Sequence, residues 1–190
     1  MNPVEALFAH VSAWRCRRRS IAHPTTRFSR QSRVSNPMGR GAITIGAESL
    51  CMGQLLVIPS GGSIAIGDWC YLGPDSKIWA MESVKIGNRV FISHGVSIFD
   101  NNSHSFSAAE RHDRFRELLE LGSHQVVENV AHRPVTIEDD VWIGFSSAIL
   151  KGVTVGRGAI VGACSVVTHD VEPYSIIVGN PARRVGTSQP

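Results

Sequence analysis

The chain has 190 residues, of which 43% are hydrophobic, enough for one core and too few for two comfortable ones. The net charge is +3, and the four cysteines are widely spaced without a CxxC pair, which argues against a disulfide framework and a zinc site. No apolar run approaches the roughly 18 residues that a membrane span needs, and no signal-peptide pattern is present, so we expect a cytoplasmic protein.

The first 42 residues form a basic segment that differs from the rest of the chain. Residues 1–40 contain eight arginines and one acid, Glu5. Ahead of RCRRR, apolar side chains follow helical spacing: Val4, Leu7, Phe8, Val11 and Trp14. The pattern favours a helix that caps the open end of a repeat protein. The alternative is an amphipathic helix in weak peripheral contact with an anionic membrane surface. Nucleic-acid binding is not expected, because no recognised module is present.

A six-residue hydrophobic repeat fills most of the remaining chain. Its clearest part is the series Ile137, Ile143, Ile149, Val155, Val161 and Val167. Four residues after each of these comes a second small or branched residue: Val141, Ser147, Val153, Ala159, Ser165 and Val171. A period of six is neither helical nor the alternation of a single strand, so each unit predicts a short strand and a bend, with both columns pointing inward. A β-sandwich is less well matched, since its turns come about every 8–12 residues.

The same register occurs earlier in the chain, with Ile66, Leu72 and Ile78 followed by Ile86, Ile92 and Ile98. Ile78 and Ile86 are eight residues apart, and we interpret AMES between them as a turn with two added residues. We predict an all-β solenoid of stacked coils from about residue 43 to about residue 176.

A long polar segment, residues 99–136, interrupts the repeat and must project from the solenoid. Ser107 and Glu110 have capping-box spacing, and Gly122 can end the predicted helix. Long excursions from a rigid scaffold usually carry function. The sequence DNNSHS, with His104, lies just before this helix.

The repeat, the interrupting loop with its histidine, the VWIG that follows and the final GNPAR resemble the left-handed β-helix acyltransferases. The likeness covers residues 43–185, leaves 186–190 as a tail, and is greatest to the galactoside, maltose and polysaccharide O-acetyltransferases. It implies a left-handed parallel β-helix that forms a homotrimer, with active sites in the grooves between subunits. It also implies acetyl-CoA as co-substrate and no metal. DNNSH with the following AAER is more similar to the lipopolysaccharide, capsule and exopolysaccharide enzymes, so we expect a saccharide acceptor.

The resemblance also assigns roles to particular residues. His104 falls where the family carries its catalytic base, and a neutral imidazole can take the proton of a hydroxyl as it attacks a thioester. The positions that match acetyl-CoA contacts are Gly144, Phe145, Ala163, Thr168, His169, Arg183 and Arg184. Phe145 stands where relatives often have serine, and His169 where lysine is common. Candidates for the acceptor are Asp75, Asn101 and Asn102, each of which has a purely structural alternative role at a corner or turn.

Several alternative functions remain open at this stage. Xenobiotic and serine O-acetyltransferases share the fold and a histidine base, although the latter carry a large N-terminal domain that forty residues do not supply. A γ-carbonic-anhydrase-like metalloenzyme needs three converging histidines, for which His94, His104 and His132 are the candidates. A non-catalytic trimeric scaffold is the third class. We expect His10, His23, His112 and His124 to be merely solvated, and His94 to be structural.

Overall fold

The chain winds into the predicted left-handed parallel β-helix, a triangular prism with one flat sheet on each side. The computed structural model describes residues 3–122 and 129–190, and His124 lies outside these ranges. The first sheet contains β1 (Ile21–Ala22), β4 (Ile43–Ile45), β7 (Ser63–Ile66), β10 (Ser83–Ile86), β13 (Val135–Ile137) and β16 (Thr154–Val155). The second contains β2 (Arg27–Phe28), β5 (Leu50–Cys51), β8 (Tyr71–Leu72), β11 (Phe91–Ile92), β14 (Trp142–Ile143), β17 (Ile160–Val161), β19 (Ser175–Gly179) and β20 (Ala182–Thr187). The third contains β3 (Arg33–Ser35), β6 (Gln54–Val57), β9 (Lys77–Ala80), β12 (Ser97–Phe99), β15 (Ala148–Ile149) and β18 (Val166–Val167).

The six-residue ladder forms the core of the prism, as predicted. Ile86 pairs with Ile66 on one side and Ile137 on the other, and Val155 continues the same row. Every member of the series from Ile137 to Val167 is at most 1% exposed, and the second inward column is also buried. Six residues therefore advance the chain by one side of the triangle, and eighteen bring it back onto the same sheet.

Two backbone features at the corners explain the local sequence. The residue after the inward aliphatic is often glycine because the next coil lies against it: a Cβ on Gly87 would lie 2.7 Å from the backbone nitrogen of Asp139. Two residues later the backbone becomes left-handed, with φ of 59° at Asp75 and 55° at Arg89 and Ser146. The hexapeptide pattern does not reveal this second requirement, since aspartate, arginine and serine all occupy the position.

The β-helix begins at Ile21, which corrects the predicted start near residue 43. Strands β1, β2 and β3 form a first coil that pairs in register with β4, β5 and β6. The second inward column of this coil consists of small polar residues at six-residue spacing. They are Ser20, Thr26 and Ser32, all at most 3% exposed. Their hydroxyls donate to backbone carbonyls, for example from Ser32 to Cys51 at 2.6 Å. The ladder positions of this coil are Ala22, Phe28 and Val34, which pair with Ile45, Cys51 and Leu55 of the next coil. The repeat is hard to recognise here because only Val34 is one of the branched aliphatic residues that mark the later coils.

Two helices and a C-terminal hairpin complete the fold. Helix α1 (Pro3–Arg18) packs on the first coil, where Cys16 is 2% exposed. Helix α2 (Ala108–Leu121) has the predicted caps, since the Ser107 side chain accepts from the Glu110 N–H and Gly122 ends it in a left-handed conformation. Neither described helix is long and apolar enough to cross a bilayer. Strand β20 pairs antiparallel with β19 as far as Thr187, slightly beyond the predicted end of the domain.

Candidate functional site

The base of the projecting loop is fixed to the β-helix by a buried carboxylate. Asp100 is fully buried, and its two oxygens accept hydrogen bonds from the backbone N–H groups of Met81 at 2.8 Å and Glu82 at 2.7 Å. Asn101 forms an antiparallel bridge with His132, so the outgoing and returning chains lie side by side. The loop therefore projects from a closed stem at the corner between the third and first sheets.

The first turn of the loop places His104 on the surface. The Asn101 side chain is buried, donates to Asp100 at 2.9 Å and accepts from the Ser103 N–H at 2.8 Å. Ser103 is left-handed, with φ of 63°, and the His104 N–H donates to the Asn102 carbonyl at 2.7 Å. The His104 imidazole is exposed, and within the described residues it makes no hydrogen bond. Asn101 thus has the turn-shaping role, while Asn102 is half-buried beside the returning chain.

His132, considered above only as a possible metal ligand, is paired with an acid at the same stem. His132 Nδ1 lies 2.7 Å from Glu82 Oε2, and both side chains are about two-fifths exposed. The carboxylate occupies Nδ1 and leaves Nε2 free to face solvent or a ligand. The partners are fifty residues apart in the chain, so no local pattern could have revealed the pair.

The C-terminal end of the β-helix contains a cavity of about 320 Å³. It brings together four of the residues predicted to contact acetyl-CoA: Thr168, His169, Arg183 and Arg184. The Thr168 hydroxyl lies 2.8 Å from His169 Nδ1. Both arginines are exposed, and their side chains donate to neighbouring carbonyl and hydroxyl oxygens of the same hairpin. The lining therefore has two guanidinium groups able to bind an anion, together with the carboxylates of Asp170 and Glu172.

The other three predicted acetyl-CoA residues lie at a different corner, between the second and third sheets. A Cβ on Gly144 would lie 2.6 Å from the Ala163 nitrogen, so these two positions stack directly. Phe145 is 45% exposed and stacks on the His94 ring at 5.2 Å, which gives His94 a structural contact. Asp75 lies at this same corner in an earlier coil and is exposed. Asp75 is therefore remote from the stem that carries Asn101.

The loop stem and the C-terminal cavity share one edge of the prism. The Arg133 carbonyl in the stem accepts from the Gly152 N–H at 3.2 Å, and the Asp170 carboxylate at the cavity accepts from the Thr154 N–H at 2.7 Å. Two coil spacings of about 4.8 Å separate the two levels, a distance of roughly 10 Å along the edge. His104 and the cavity thus lie on one edge, while Phe145, Ala163 and Asp75 lie on another.

No three histidine, cysteine, aspartate or glutamate side chains in the described ranges come close enough to hold a metal ion. The three histidines considered for such a site are in separate surroundings. His94 stacks on Phe145, His132 pairs with Glu82, and His104 projects from the loop.

Two family descriptions match the chain on either side of the loop. Residues 63–100 match the hexapeptide repeat of succinyl-transferase, and residues 134–169 match the bacterial transferase hexapeptide in six repeats. These ranges coincide with coils of the β-helix, so the resemblance inferred from the sequence is confirmed at the level of the repeat.

Two acetyltransferases are similar in sequence to parts of this chain. A chloramphenicol acetyltransferase from Klebsiella aerogenes is 49% identical over 49 residues, 26% of this chain and 23% of the relative. A probable acetyltransferase from Mycobacterium tuberculosis is 31% identical over 128 residues, 67% of this chain and 38% of the relative. The chain thus spans well under half the length of these two relatives.

Among solved structures, the N-acyltransferase AntD from Bacillus cereus, in complex with dTDP and 3-hydroxybutyryl-CoA, has the same fold. The TM-score is 0.70 at 20% identity, over 90% of this chain and 83% of AntD. At that identity the likeness establishes the architecture alone.

Proposed function

Since residues 63–100 and 134–169 match hexapeptide-repeat transferase families and wind into a β-helix, we propose that the chain is an acetyl-CoA-dependent O-acetyltransferase. Its acceptor is a saccharide hydroxyl, of the kind found in lipopolysaccharide, capsule or exopolysaccharide units. The observation that carries the proposal is the shared edge, with a cavity lined by Arg183 and Arg184 at one level. The stem of the loop that bears the exposed His104 lies roughly 10 Å along the same edge. An acetyl-CoA substrate also agrees with the cytoplasmic location expected from the sequence.

The cavity suits the phosphate end of CoA. Arg183 and Arg184 present planar guanidinium groups, which form paired, charge-assisted hydrogen bonds with phosphate oxygens. Thr168 and His169 line the same cavity and supply a hydroxyl and an imidazole beside the thiol-bearing arm. An extended arm that follows the edge from this cavity leads towards the loop stem.

The proposed reaction needs one base and one site for a developing anion. His104 removes the proton of the acceptor hydroxyl as that oxygen forms a bond to the thioester carbonyl carbon. The tetrahedral intermediate then collapses, the carbon–sulfur bond breaks, and the proton passes from the imidazole to the leaving thiolate. General-base assistance contributes about 10²–10⁴-fold, and backbone N–H groups suffice for the oxyanion. Because a thioester is already activated, no covalent acyl-enzyme is required.

The division of the predicted residues between two edges supports a homotrimer. His104 and the C-terminal cavity lie on one edge, and Phe145, Ala163 and Asp75 on another, so one chain alone does not gather them. Three prisms packed side by side set one edge of each chain against another edge of its neighbour. A complete site then lies in each groove between subunits, and size-exclusion chromatography with light scattering should give the mass of three chains.

The function is tested by acetyl-CoA binding followed by an acceptor screen. Acetyl-CoA at 100 times its Kd should stabilise the fold by about 2.7 kcal/mol, visible as a thermal shift. Thiol release should then appear with a member of a panel of nucleotide sugars, oligosaccharides and lipid-linked glycans. No stabilisation by acetyl-CoA would support the non-catalytic scaffold instead. Release with amino acceptors but not hydroxyl acceptors would change the reaction to N-acetylation.

A further inference from the structure

A basic concave surface lies at the opposite end of the prism from the CoA cavity. It is formed by α1 and the first coil, encloses about 1220 Å³ and is lined in part by Phe8, Val11, Trp14, Arg15, Arg18 and Arg30. We call these six residues the α1 surface. The proposed acetyl transfer gives it no role.

Three arginines of the α1 surface have no ionic partner among the side chains that the structure describes. Arg15, Arg18 and Arg30 are not within ion-pair distance of any carboxylate whose side chain the structure describes. By contrast, arginines such as Arg89 and Arg157 elsewhere on the prism pair with aspartates. The α1 surface therefore concentrates uncompensated positive charge.

Neighbouring arginines differ from these three, because their side chains donate to backbone carbonyls and stabilise the fold. Arg17 donates to the carbonyls of His23, Pro24 and Thr26, and so fixes the first corner. Arg40 donates to the Ser20 carbonyl at 3.1 Å. The segment thus contains two kinds of arginine, those that bridge backbone carbonyls and those that face outward.

Large apolar side chains are exposed among the outward arginines. Phe8 is 56% exposed and Trp14 57%, although aromatic side chains bury a large area when they are packed. The Arg18 guanidinium lies 4.9 Å from the centre of the Trp14 ring. Ser12 and Cys16 are one helical turn apart, and both are buried against the β-helix. Helix α1 therefore packs on the β-helix with one side and presents apolar and cationic side chains to solvent on the other.

We propose that the α1 surface docks onto the surface of an anionic phospholipid bilayer. Guanidinium groups bind lipid phosphates, while Trp and Phe enter the boundary between headgroups and acyl chains. A nucleic acid would use the arginines and could stack bases on the rings, but the exposed aliphatic Val11 favours a partner with an apolar interior. A second copy of the same surface is disfavoured because residues 8–40 contain no acid, so two such surfaces repel each other.

Docking at this end leaves the proposed active site accessible. The first coil and the cavity are separated by five coil spacings, roughly 24 Å along the prism. The protein would attach by its N-terminal end and keep the CoA cavity in solution. This inference does not depend on the proposed chemistry, since it rests on residues that acetyl transfer does not use.

The test is co-sedimentation with phosphatidylcholine vesicles that contain or lack phosphatidylglycerol, at low and high salt. The wild-type protein should bind only the anionic vesicles, and salt should weaken that binding. Each arginine contributes about five-fold, so a variant with Arg15→Gln, Arg18→Gln and Arg30→Gln should bind about a hundred-fold more weakly. A second variant, Trp14→Ser, should also lose binding although its charge is unchanged.

The charge-matched control replaces Lys77, Lys85 and Arg116 by glutamine, because all three are exposed and none belongs to α1 or the first coil. This control should bind like wild type, and acetyl-CoA stabilisation should be the same in all variants. The proposal fails if wild-type protein ignores anionic vesicles at low salt, or if the control loses as much binding as the α1 variant. It also fails if the α1 arginines are needed for binding RNA or DNA rather than vesicles, or if Trp14→Ser changes the oligomeric state in the absence of lipid.

Discussion

The Asp100 carboxylate accepts a hydrogen bond from the backbone N–H of Glu82 at 2.7 Å, and the Glu82 side chain in turn holds His132. One residue thus contacts both ends of the projecting loop. Met81 and Glu82 lie between β9 and β10, where the inward residues Ile78 and Ile86 are eight residues apart and not six. The insertion supplies the N–H groups that bind Asp100, which gives a structural reason for the break in the spacing.

The first prediction concerns this stem. Asp100→Ala should lower the free energy of unfolding by about 2–4 kcal/mol, because two buried N–H groups lose a charged acceptor. Urea denaturation followed by circular dichroism measures the change. Asp113→Ala is the matched control, since Asp113 is exposed on α2 and its removal should change stability by less than about 0.5 kcal/mol. Equal urea midpoints for the wild type and Asp100→Ala would disprove the stem's structural role.

The second prediction concerns coil stacking. Gly87→Ala should destabilise the protein by about 1–3 kcal/mol, because the new Cβ would lie 2.7 Å from the Asp139 nitrogen in the next coil. Gly41 has no atom within 4 Å of an added Cβ, so Gly41→Ala should be neutral or stabilising by up to about 1 kcal/mol. Thermal denaturation of both variants gives the comparison. If the two substitutions had similar effects, close contact between coils would not be the reason for the glycine at position 87.

The sequence predicts those parts of the fold that depend on residues close together in the chain. Burial of every sixth side chain produces the ladder from Ile137 to Val167, and the caps of α2 depend on Ser107 and Gly122 alone. The first coil was not predicted because its ladder is Ala22, Phe28 and Val34, of which only Val34 is a branched aliphatic residue, and its second column consists of Ser20, Thr26 and Ser32.

Parts of the candidate site were beyond local patterns. The Glu82–His132 pair and the Asp100 stem join residues far apart in sequence, and only the winding of the chain brings them together. The division of the acetyl-CoA residues between two edges likewise depends on which corner each six-residue unit reaches. Thr168, His169, Arg183 and Arg184 were predicted as acetyl-CoA contacts from the family resemblance alone. In the structure all four line one cavity.

The third prediction is that one of the four cysteines reacts rapidly with a thiol reagent in the native protein. Cys16, Cys51 and Cys70 are buried, and burial raises the pKa of each thiol, that of Cys51 to about 12. Only the thiolate reacts, and at pH 8 its fraction falls as the pKa rises, so these three should react slowly. Cys164 is exposed and should react first.

Mass spectrometry of the alkylated protein should show one label on the native protein and four after denaturation. Cys164 follows Ala163, so acetyl-CoA bound at the proposed site should slow its labelling. Fast labelling of two or more cysteines in the native state would contradict the buried positions. Unchanged labelling of Cys164 at saturating acetyl-CoA would place the bound molecule away from Ala163.

The fourth prediction concerns the phosphate end of CoA. Arg183→Gln should raise the Kd for acetyl-CoA about ten-fold or more, because a charge-assisted hydrogen bond contributes about 1.5–3 kcal/mol. Arg116→Gln, on the outside of α2, removes the same charge and should leave the Kd unchanged. Isothermal titration calorimetry gives both values. An unaltered Kd for Arg183→Gln would remove this arginine from the site.

The most direct measurement is the rate of CoA thiol release by His104→Ala with a productive acceptor, beside the Kd of the same variant for acetyl-CoA. The rate should be about 10²–10⁴-fold below wild type with an unchanged Kd, because the imidazole acts on the hydroxyl and the cavity binds the cofactor. His112→Ala, an exposed histidine of the same loop, should behave like wild type. Near-normal thiol release by His104→Ala would show that His104 is not the catalytic base.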